Sequence, residues 1–412
     1  MAQSILVIGG GFSGITAALE AAELGEEVYL VEKSPYLGGR VMQLNKYFPK
    51  LCPPSCGLEI QYQRIKNAKN LQTFTMSEVI SVSGEAGNYE VTVKLKPKHT
   101  PASSVDLSGL AESLSQDVDN EFEFNLVKRG PLYLSAPFAY PQRYVLDREN
   151  LTEEDRSKLS KSKLIDLEQE EKTMTLQVGS IILATGWQPY DTTNLTNLGA
   201  GEIANCISNM QMERLSAPSG PTEGAIKRPS DDAAPKKVAF VQCAGSRDEN
   251  HLGYCSYICC MASLKQARYV REQYPDSEVD IYYIDLRTPG RYENFAKQTL
   301  EDENIRAIKG KVAEVEEDVA TGGVWITAED AIAGYKLRNY YDMVVLATGM
   351  QPTLAKETLP LNLSVDEEGF VSESDRSGII PAGCAAEPLD VMKSAQSGTA
   401  AAMKAIETVR GR

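Results

Sequence analysis

Histidine is almost absent from this chain of 412 residues, which has only His99 and His251. Without a pair of histidines there is no candidate for a mononuclear zinc hydrolase site or for a serine–histidine couple. Basic residues are fewer than acidic ones, since the formal net charge is −15, and acidic and basic residues are interspersed along the chain. The composition therefore offers no basic face for nucleic acid or anionic lipid.

Long apolar runs and a targeting segment are also missing. No run approaches the roughly 18 residues that span a bilayer, so we expect membrane association only through a partner. The first residues, MAQSILVIGGGFSG, enter a strand pattern without a basic segment and a cleavage site, which predicts a cytoplasmic protein. Thiols stay reduced there, so the eight unevenly placed cysteines predict ligands, redox groups or buried small residues rather than disulfides.

A dinucleotide fingerprint opens the chain. Residues 4–32 read as an apolar strand, then Gly9-x-Gly11-x-x-Gly14, a helix, and a second strand that ends at Glu32. The glycines permit a tight turn and the close approach of a pyrophosphate to the helix N-terminus. Glu32 is placed to bond a ribose hydroxyl. This complete context predicts a dinucleotide site.

Three later segments extend the pattern. YLGGRV carries Gly39 and Arg40, and two strands end in the same triplet, IILATG (181–186) and VVLATG (344–349). The arrangement resembles the two-dinucleotide-domain flavoproteins of the glutathione and thioredoxin reductase type. The resemblance implies that the first fingerprint binds FAD and that residues 379–402 close the flavin site. Cys384 stands where that family usually has an aspartate for the ribityl chain, so we expect backbone amides and the following helix to hold the flavin.

The fold class implied is α/β, with two Rossmann-like domains and a discontinuous FAD domain. We expect residues 1–232 and 341–412 to form the FAD domain, with a polar and aromatic insert at about 97–145, and residues 233–340 to form the second domain. The resemblance predicts flavin contacts from Gly9, Gly11, Phe12, Ser13, Gly14, Glu32, Lys33, Gly39, Arg40, Val79, Ala184, Thr185, Gly186, Gly383 and Cys384.

The second domain lacks the glycine loop that an NAD(P)H site needs. After the strand KKVAFVQ comes CAGSR, and the stretch 243–260 holds Cys243, Cys255, Cys259 and Cys260. If Cys243 ends the strand and the others lie at the start of a helix, four thiolates converge near a positive dipole end. Such a set suits a [4Fe–4S] cluster or tetrahedral zinc, and unligated buried thiols remain an alternative. Adjacent ligands at 259 and 260 and the neighbouring flavin favour the cluster.

These same residues resemble the A subunit of heterodisulfide reductase and its relatives. In those proteins a stretch of the form QC-x-GSRD followed by YCS-x-x-CC carries an extra cubane, as at 242–248 and 254–260 here. The resemblance implies that the four cysteines ligate iron. The methanogen type inserts a ferredoxin module, whereas residues 57–205 contain no cysteine in this chain. We therefore expect no ferredoxin clusters within it.

The trimmed insert and the phrase NKYFPKLCPPSCGLEI resemble one branch, the A subunits of quinone-interacting membrane-bound oxidoreductases. That resemblance implies an iron–sulfur and flavin partner subunit, a quinone-reacting membrane subunit, and adenylylsulfate reductase as electron-transfer partner. It also implies a position at the inner face of the cytoplasmic membrane. The alternative is a shortened A subunit of a heterodisulfide-reductase-like complex of sulfur oxidation.

Cys52 and Cys56, in LCPPSCGLE, lie where flavin disulfide reductases carry their redox pair. They could form a catalytic disulfide in an NAD(P)H-dependent reductase, or a turn that lines the flavin pocket. A flavin scaffold with structural zinc is a third possibility. We expect Cys206 to be a small buried residue and His251 to be solvated or bonded to the cluster. We predict an electron-transfer flavoprotein subunit without an acid–base catalyst.

Overall fold

The computed structural model describes residues 3–101, 105–372 and 378–411. These residues form eight α-helices: α1 (Phe12–Glu23), α2 (Pro54–Asn67), α3 (Ser108–Glu112), α4 (Glu153–Leu159), α5 (Asn209–Ser216), α6 (Cys259–Gln273), α7 (Tyr292–Leu300) and α8 (Val391–Arg410). They also form 22 strands: β1 (Ser4–Ile8), β2 (Glu27–Glu32), β3 (Leu71–Thr75), β4 (Ser77–Glu85), β5 (Asn88–Leu95), β6 (Val118–Asp119), β7 (Lys128–Arg129), β8 (Leu132–Tyr133), β9 (Val145–Leu146), β10 (Lys172–Val178), β11 (Ser180–Leu183), β12 (Trp187–Pro189), β13 (Cys206–Ser208), β14 (Lys237–Ala244), β15 (Glu278–Tyr283), β16 (Ile305–Lys309), β17 (Val312–Asp318), β18 (Gly323–Asp330), β19 (Tyr335–Tyr341), β20 (Met343–Thr348), β21 (Met350–Pro352) and β22 (Ile379–Pro381).

The chain divides into two compact units. The first comprises Met1–Met42, Ser55–Trp187 and Pro352–Arg412, and the second comprises Gln43–Pro54 and Gln188–Gln351. In the first unit a parallel sheet has the order β22-β11-β1-β2-β3. Every residue of β1 and β11 is buried, as expected for central parallel strands that are covered on both faces.

A second, antiparallel sheet in the first unit has the order β10-β5-β4. Its alternating apolar residues, such as Val91 and Val93, are fully buried in a core cluster shared with Leu6 and Ile181 of the parallel sheet. Strand β5 pairs with β10 from Leu95 opposite Lys172 onward. The insert is therefore the connection between β5 and β10, two strands that pair with each other.

The insert has a small core of its own, which the polar sequence did not predict. Seven buried side chains form it: Leu107, Leu114, Leu132, Leu146, Leu151, Leu159 and Ile165. His99, at the start of the insert, is buried with its Nδ1 2.7 Å from the Asp166 carbonyl oxygen. The small core of the insert also includes Leu151, Leu159 and Ile165, beyond the predicted bound of 145. Residues 102–104 lie outside the described residues.

The second unit repeats the Rossmann plan. Its parallel sheet has the order β13-β20-β14-β15-β16, and an antiparallel sheet β17-β18-β19 contributes to the same core. Strands β13 and β20 both pair within this parallel sheet. The compact units therefore divide the chain elsewhere than at the predicted boundaries of 233 and 341, because strand pairing places Cys206–Ser208 and Met343–Thr348 in the second unit.

Candidate functional site

The turn after β1 is packed so closely that it admits only glycine at two positions. Gly9 has φ of +107°, and a Cβ there would stand 2.2 Å from the Ala184 carbonyl oxygen. A Cβ at Gly14 would stand 1.9 Å from the Gly9 carbonyl oxygen. By contrast, nothing lies within 4 Å of the position a Cβ would take at Gly11. Two glycines thus close the turn, and the third leaves open space beside the start of α1.

Glu32 lies beside this turn. Its Oε2 accepts a hydrogen bond from the Gly10 amide and its Oε1 accepts one from the Ser34 amide, both at 2.6 Å. Burial raises the pKa of the Glu32 carboxyl, and the bonds from Ser34 and Gly10 oppose that rise. A carboxylate has about four lone-pair sites, so the two oxygens can still accept ribose hydroxyls.

Two hydroxyl groups beside the turn are buried and, within the described ranges, have no hydrogen-bond partner: Ser13 Oγ and Thr185 Oγ1. Buried polar atoms in this condition are rare in folded proteins and indicate a missing ligand or water. Gly186, next to Thr185, has φ of +70° and open space at its Cβ position. The first unit therefore provides a cradle and unused donors that fit a dinucleotide.

The predicted closing segment lies against the same helix. A Cβ at Gly383 would stand 2.7 Å from Ser13 Cβ, and the Gly383 amide donates to Ser397 Oγ. Cys384 is buried, with its thiol 3.5 Å from the Leu389 carbonyl oxygen. Burial raises the pKa of this thiol, so it stays neutral at ordinary pH. The Cys384 side chain therefore does not replace the charge of an aspartate here.

The other predicted flavin residues divide between the turn and the core. Gly39 lies against Gly11, with a would-be Cβ 2.9 Å from Gly11 Cα. Arg40 donates to the Trp187 carbonyl oxygen and lies over the Phe124 ring. Lys33 is exposed and pairs with Glu357. Val79 is a core residue of the antiparallel sheet, and Phe12 begins α1.

The second unit ends its corresponding strand differently. The pairing of β14 with β20 shifts register between Val241 and Ala244, and Cys243 has φ of +56°. A bulge of this kind re-aims the side chains at the end of a strand. Gln242 is buried, and both polar atoms of its side chain have no partner in the described part of the chain.

Helix α6 begins with two cysteines. Cys259 and Cys260 are buried in its first turn, and the helix has no side-chain cap. Burial raises the pKa of both thiols, to about 11 for Cys260, and Cys243 and Cys255 each raise them further. The four predicted ligands therefore interact electrostatically with one another. Metal binding would have to displace their protons, which is the ordinary behaviour of thiolate sites.

Within the ranges described here, no group of three or more histidine, cysteine, aspartate or glutamate side chains is arranged to hold a metal ion. The donor chemistry nonetheless fits an iron–sulfur cluster, because four cysteines belong to the end of β14, the loop after it and the first turn of α6. The assignment of the four ligands stays a prediction.

The remaining candidate residues are placed as follows. Cys52 and Cys56 are both exposed free thiols. Cys206 is buried, as predicted, in the core of the second unit. His251 is partly exposed, and its Nδ1 lies 3.0 Å from Tyr190 Oη. In the aromatic half of the insert, Tyr140 stacks on Tyr62 of α2.

Sequence reasoning missed three charged residues around the cysteines: Arg247, Asp285 and Arg287. Arg247 belongs to the stretch 243–260 and could have been flagged there as a charge among predicted ligands. Asp285 and Arg287 follow β15, the neighbour of β14, and only the parallel order of the sheet brings them to the same edge. The buried pair Glu213 and Lys265 gave no signal, since 52 residues separate them.

Comparison with known proteins agrees with the fold. Residues 4–89 match the family model for FAD-dependent oxidoreductases. Thioredoxin reductase from Lactococcus lactis superposes with a TM-score of 0.56 at 13% identity, covering 100% of both chains. Bacillithiol disulfide reductase from Bacillus cereus superposes with a TM-score of 0.54 at 12% identity, again over 100% of both chains. The predicted two-Rossmann flavoprotein fold is confirmed, and the match of residues 4–89 to the FAD-dependent oxidoreductase model supports FAD as cofactor.

Sequence relatives are more similar. The chain is 38% identical to an iron–sulfur A subunit of CoB–CoM heterodisulfide reductase from Methanopyrus kandleri, over 97% of this chain and 63% of that protein. It is 35% identical to the A subunit of an H2:CoB-CoM heterodisulfide, ferredoxin reductase from Methanothermobacter marburgensis, over 98% of this chain and 64% of that protein. The chain thus spans less than two thirds of these relatives. The oxidoreductase class is confirmed.

Proposed function

We propose that this chain is an electron-transfer subunit that binds FAD and one [4Fe–4S] cluster, because its homologues are A subunits of heterodisulfide reductases. FAD exchanges one or two electrons and the cluster exchanges one, so together they couple two-electron donors to one-electron carriers. The chain's own residues would hold and tune these groups.

One observation carries the proposal. In the second unit the turn between β14 and α6, which holds a pyrophosphate in nucleotide-binding Rossmann domains, has Cys243 on a bulge and Cys259 and Cys260 in the first helical turn. Four cysteines of this turn, loop and helix start stand where a nucleotide-binding domain has its glycine-rich turn, and four cysteine thiolates are the usual ligands of a [4Fe–4S] cluster.

The finer assignment rests on the sequence resemblance. We propose that the chain serves a quinone-interacting membrane-bound oxidoreductase, with an iron–sulfur and flavin subunit and a membrane subunit as partners and adenylylsulfate reductase as redox partner. In the part of the chain that the structure describes, no helix is long and apolar enough to cross a membrane. We propose that a partner subunit attaches the chain to the inner face of the cytoplasmic membrane, as the resemblance implies. The alternative remains a shortened subunit of a heterodisulfide-reductase-like complex of sulfur oxidation.

The first experiment measures iron, acid-labile sulfide, zinc and FAD per chain after purification without air. We expect about four iron, four sulfide and one FAD, as a single cubane and a single flavin require. Cys243→Ala should lower iron and sulfide while FAD stays bound, because the two sites belong to different units. Cys52→Ala is the matched control, since Cys52 is an exposed thiol outside the predicted ligand set.

Two results would contradict the proposal. If FAD is present but iron is absent even after anaerobic reconstitution, the cluster is wrong. Zinc in stoichiometric amount would support the structural-zinc alternative. The finer assignment is tested by isolating the native complex. Subunits for sulfur oxidation in place of a quinone-reacting membrane subunit would favour the alternative complex.

A further inference from the structure

Two arginine side chains lie near the predicted cluster ligands. Burial raises the pKa of the Cys243 thiol and the Arg247 guanidinium opposes that rise, while the Arg287 guanidinium interacts electrostatically with Cys255. In addition, the backbone amide of Arg287 donates to Cys260 Sγ at 3.4 Å. The Cys260 sulfur therefore has an N–H donor from the backbone of one of these two arginines.

Both guanidinium groups are held by one carboxylate. Asp285 forms an ion pair with Arg247, and its Oδ2 accepts a hydrogen bond from Arg287 Nε at 3.3 Å. The Cys260 thiol also points at the Asp285 carbonyl oxygen, 3.7 Å away. Asp285 lies just after β15, which pairs in parallel with β14. The sheet thus fixes the carboxylate beside the end of the strand that carries Cys243.

The three charges do not cancel. Two guanidinium groups and one carboxylate leave one net positive charge next to the sulfurs. A cluster becomes more negative when it accepts an electron, so positive charge and N–H donors at its sulfurs stabilise the reduced form more than the oxidised form. Arg247 is partly buried and Arg287 is half exposed, with side-chain exposures of 22% and 47%. Burial shields Arg247 from the solvent screening that weakens exposed charges.

We propose that Arg247 and Arg287, oriented by Asp285, raise the reduction potential of the cluster bound by Cys243, Cys255, Cys259 and Cys260. The inference rests on the proposed cluster and adds to it the residues that set its potential. The two arginines are positioning and tuning residues, because they act on the cluster through its ligands.

The test is a potentiometric titration of the anaerobically reconstituted chain, followed by electron paramagnetic resonance. The titration delivers one electron from dithionite to each cluster through mediators. At a fixed applied potential, Arg247→Gln and Arg287→Gln should each lower the ratio of reduced to oxidised cluster several-fold. The double variant should lower this ratio about tenfold or more. A tenfold change corresponds to a reduction potential lower by about 59 mV for a one-electron couple.

Arg338→Gln is the matched control. It makes the same change of charge in the second unit, at an exposed residue of β19 that pairs with Glu316. Its potential should equal that of the wild type. Arg247→Lys and Arg287→Lys keep the positive charge but lose the planar guanidinium group. The reduction potential of the cluster should therefore shift less in these variants than in the glutamine variants. If the glutamine variants lose iron, the reduction potentials of the lysine variants are compared with that of the wild type instead.

The outcomes separate the two proposals. If the wild type holds a cluster and the arginine variants have the same reduction potential as the Arg338→Gln control, the tuning assignment is wrong. The proposed cluster itself would remain supported. If the wild type binds no iron or sulfide, the proposed function fails, and the tuning assignment fails with it.

Discussion

Glu213 and Lys265 form an ion pair whose two side chains are only 1% and 2% exposed. Glu213 also accepts hydrogen bonds from the Asn45 amide and from Gln266 Nε2. Lys265 donates to the Lys46 carbonyl oxygen at 2.7 Å. The pair therefore fixes residues 45 and 46 to α5 and α6 within the second unit, and α6 is the helix that begins with the cluster cysteines.

Removal of one partner leaves a buried charge without compensation. We expect Glu213→Ala to reduce the free energy of unfolding by about 3–5 kcal/mol. The double variant Glu213→Leu with Lys265→Met should lose much less, because neither charge remains. Denaturant unfolding followed by circular dichroism measures both. Glu316→Ala, which breaks an exposed pair, should cost no more than about 1 kcal/mol. Equal losses in the single and double variants would contradict this account.

Sequence reasoning proposed Cys243 and Cys259 because cysteine is rare and its spacing is informative. It could not find the charged residues that lie around this site. Arg287 follows β15, outside the cysteine-rich stretch, and Glu213 meets Lys265 through packing, so neither contact leaves a local pattern. His251 shows the same limit, because its hydrogen bond to Tyr190 joins residues 61 positions apart.

At the scale of elements, the insert depends on one carboxylate. Asp155 caps α4 together with Thr152, and it accepts four hydrogen bonds, two each from Ser115 and Thr152. Burial alone would raise the pKa of Asp155, but these bonds lower it to about 2. Because the folded pKa lies below the ordinary value of 3.8, the carboxylate stabilises the insert above about pH 4. That stabilisation is lost as the pH falls toward 2.

We expect Asp155→Asn to destabilise the insert by about 2 kcal/mol at pH 6. The difference from the wild type should shrink as the pH is lowered toward 2, since the wild-type carboxyl then becomes protonated. Hydrogen exchange of the α4 amides measures this difference. Asp119→Asn, at an exposed insert residue paired with Lys128, should cause little change at either pH. A difference that does not vary with pH would argue against the carboxylate's role.

The turn between β1 and α1 gives a second prediction. Gly11→Ala adds a methyl group where the chain leaves open space, so the variant should fold normally but weaken FAD binding at least tenfold. Gly109→Ala in α3 is the control, because its added methyl group also meets nothing within 4 Å but lies in the insert. Fluorescence titration of the apoprotein with FAD gives both affinities. If Gly11→Ala binds FAD as tightly as the wild type, the pyrophosphate of FAD does not bind at this turn.

Elements with a strong periodic pattern were predicted well. The strand, glycine turn, helix and strand of residues 4–32 appear as β1, α1 and β2, and the helix after Cys259 appears as α6. The insert was predicted poorly, because its leucines are spread over about 60 residues of polar sequence. Such a core arises from contacts between distant leucines rather than from local periodicity.

For the whole molecule, the two Rossmann-type units differ in their first turn. The first unit has three glycines there, whereas the second has Cys243 and a bulge. We expect NAD(P)H to leave the flavin of the anaerobic chain oxidised, because the second unit lacks a pyrophosphate turn, and dithionite to reduce it. Absorbance of the bound flavin measures the reaction. Rapid bleaching of the flavin by NAD(P)H would instead support a disulfide reductase, and in Cys52→Ser the flavin should then stay reduced because no disulfide can take its electrons.

The division into units could be predicted in number but not in position. Residues 206–208 and 343–348 read as ordinary strand segments, and the sequence does not say which sheet they join. Both pair with the second sheet, and residues 43–54 also belong to the second unit. Strand partners between residues more than 100 positions apart are decided by the assembled sheet and not by local preference.

The close spacing of the two ends of the insert has a consequence for how such chains can diversify. The Leu146 amide bonds the Lys98 carbonyl oxygen, and the Asp166 amide bonds the His99 carbonyl oxygen, so the path departs and returns at neighbouring points. The entropy of closing a loop grows only slowly with its length. A longer or shorter segment between these two points would therefore change the free energy of folding only slightly through loop closure.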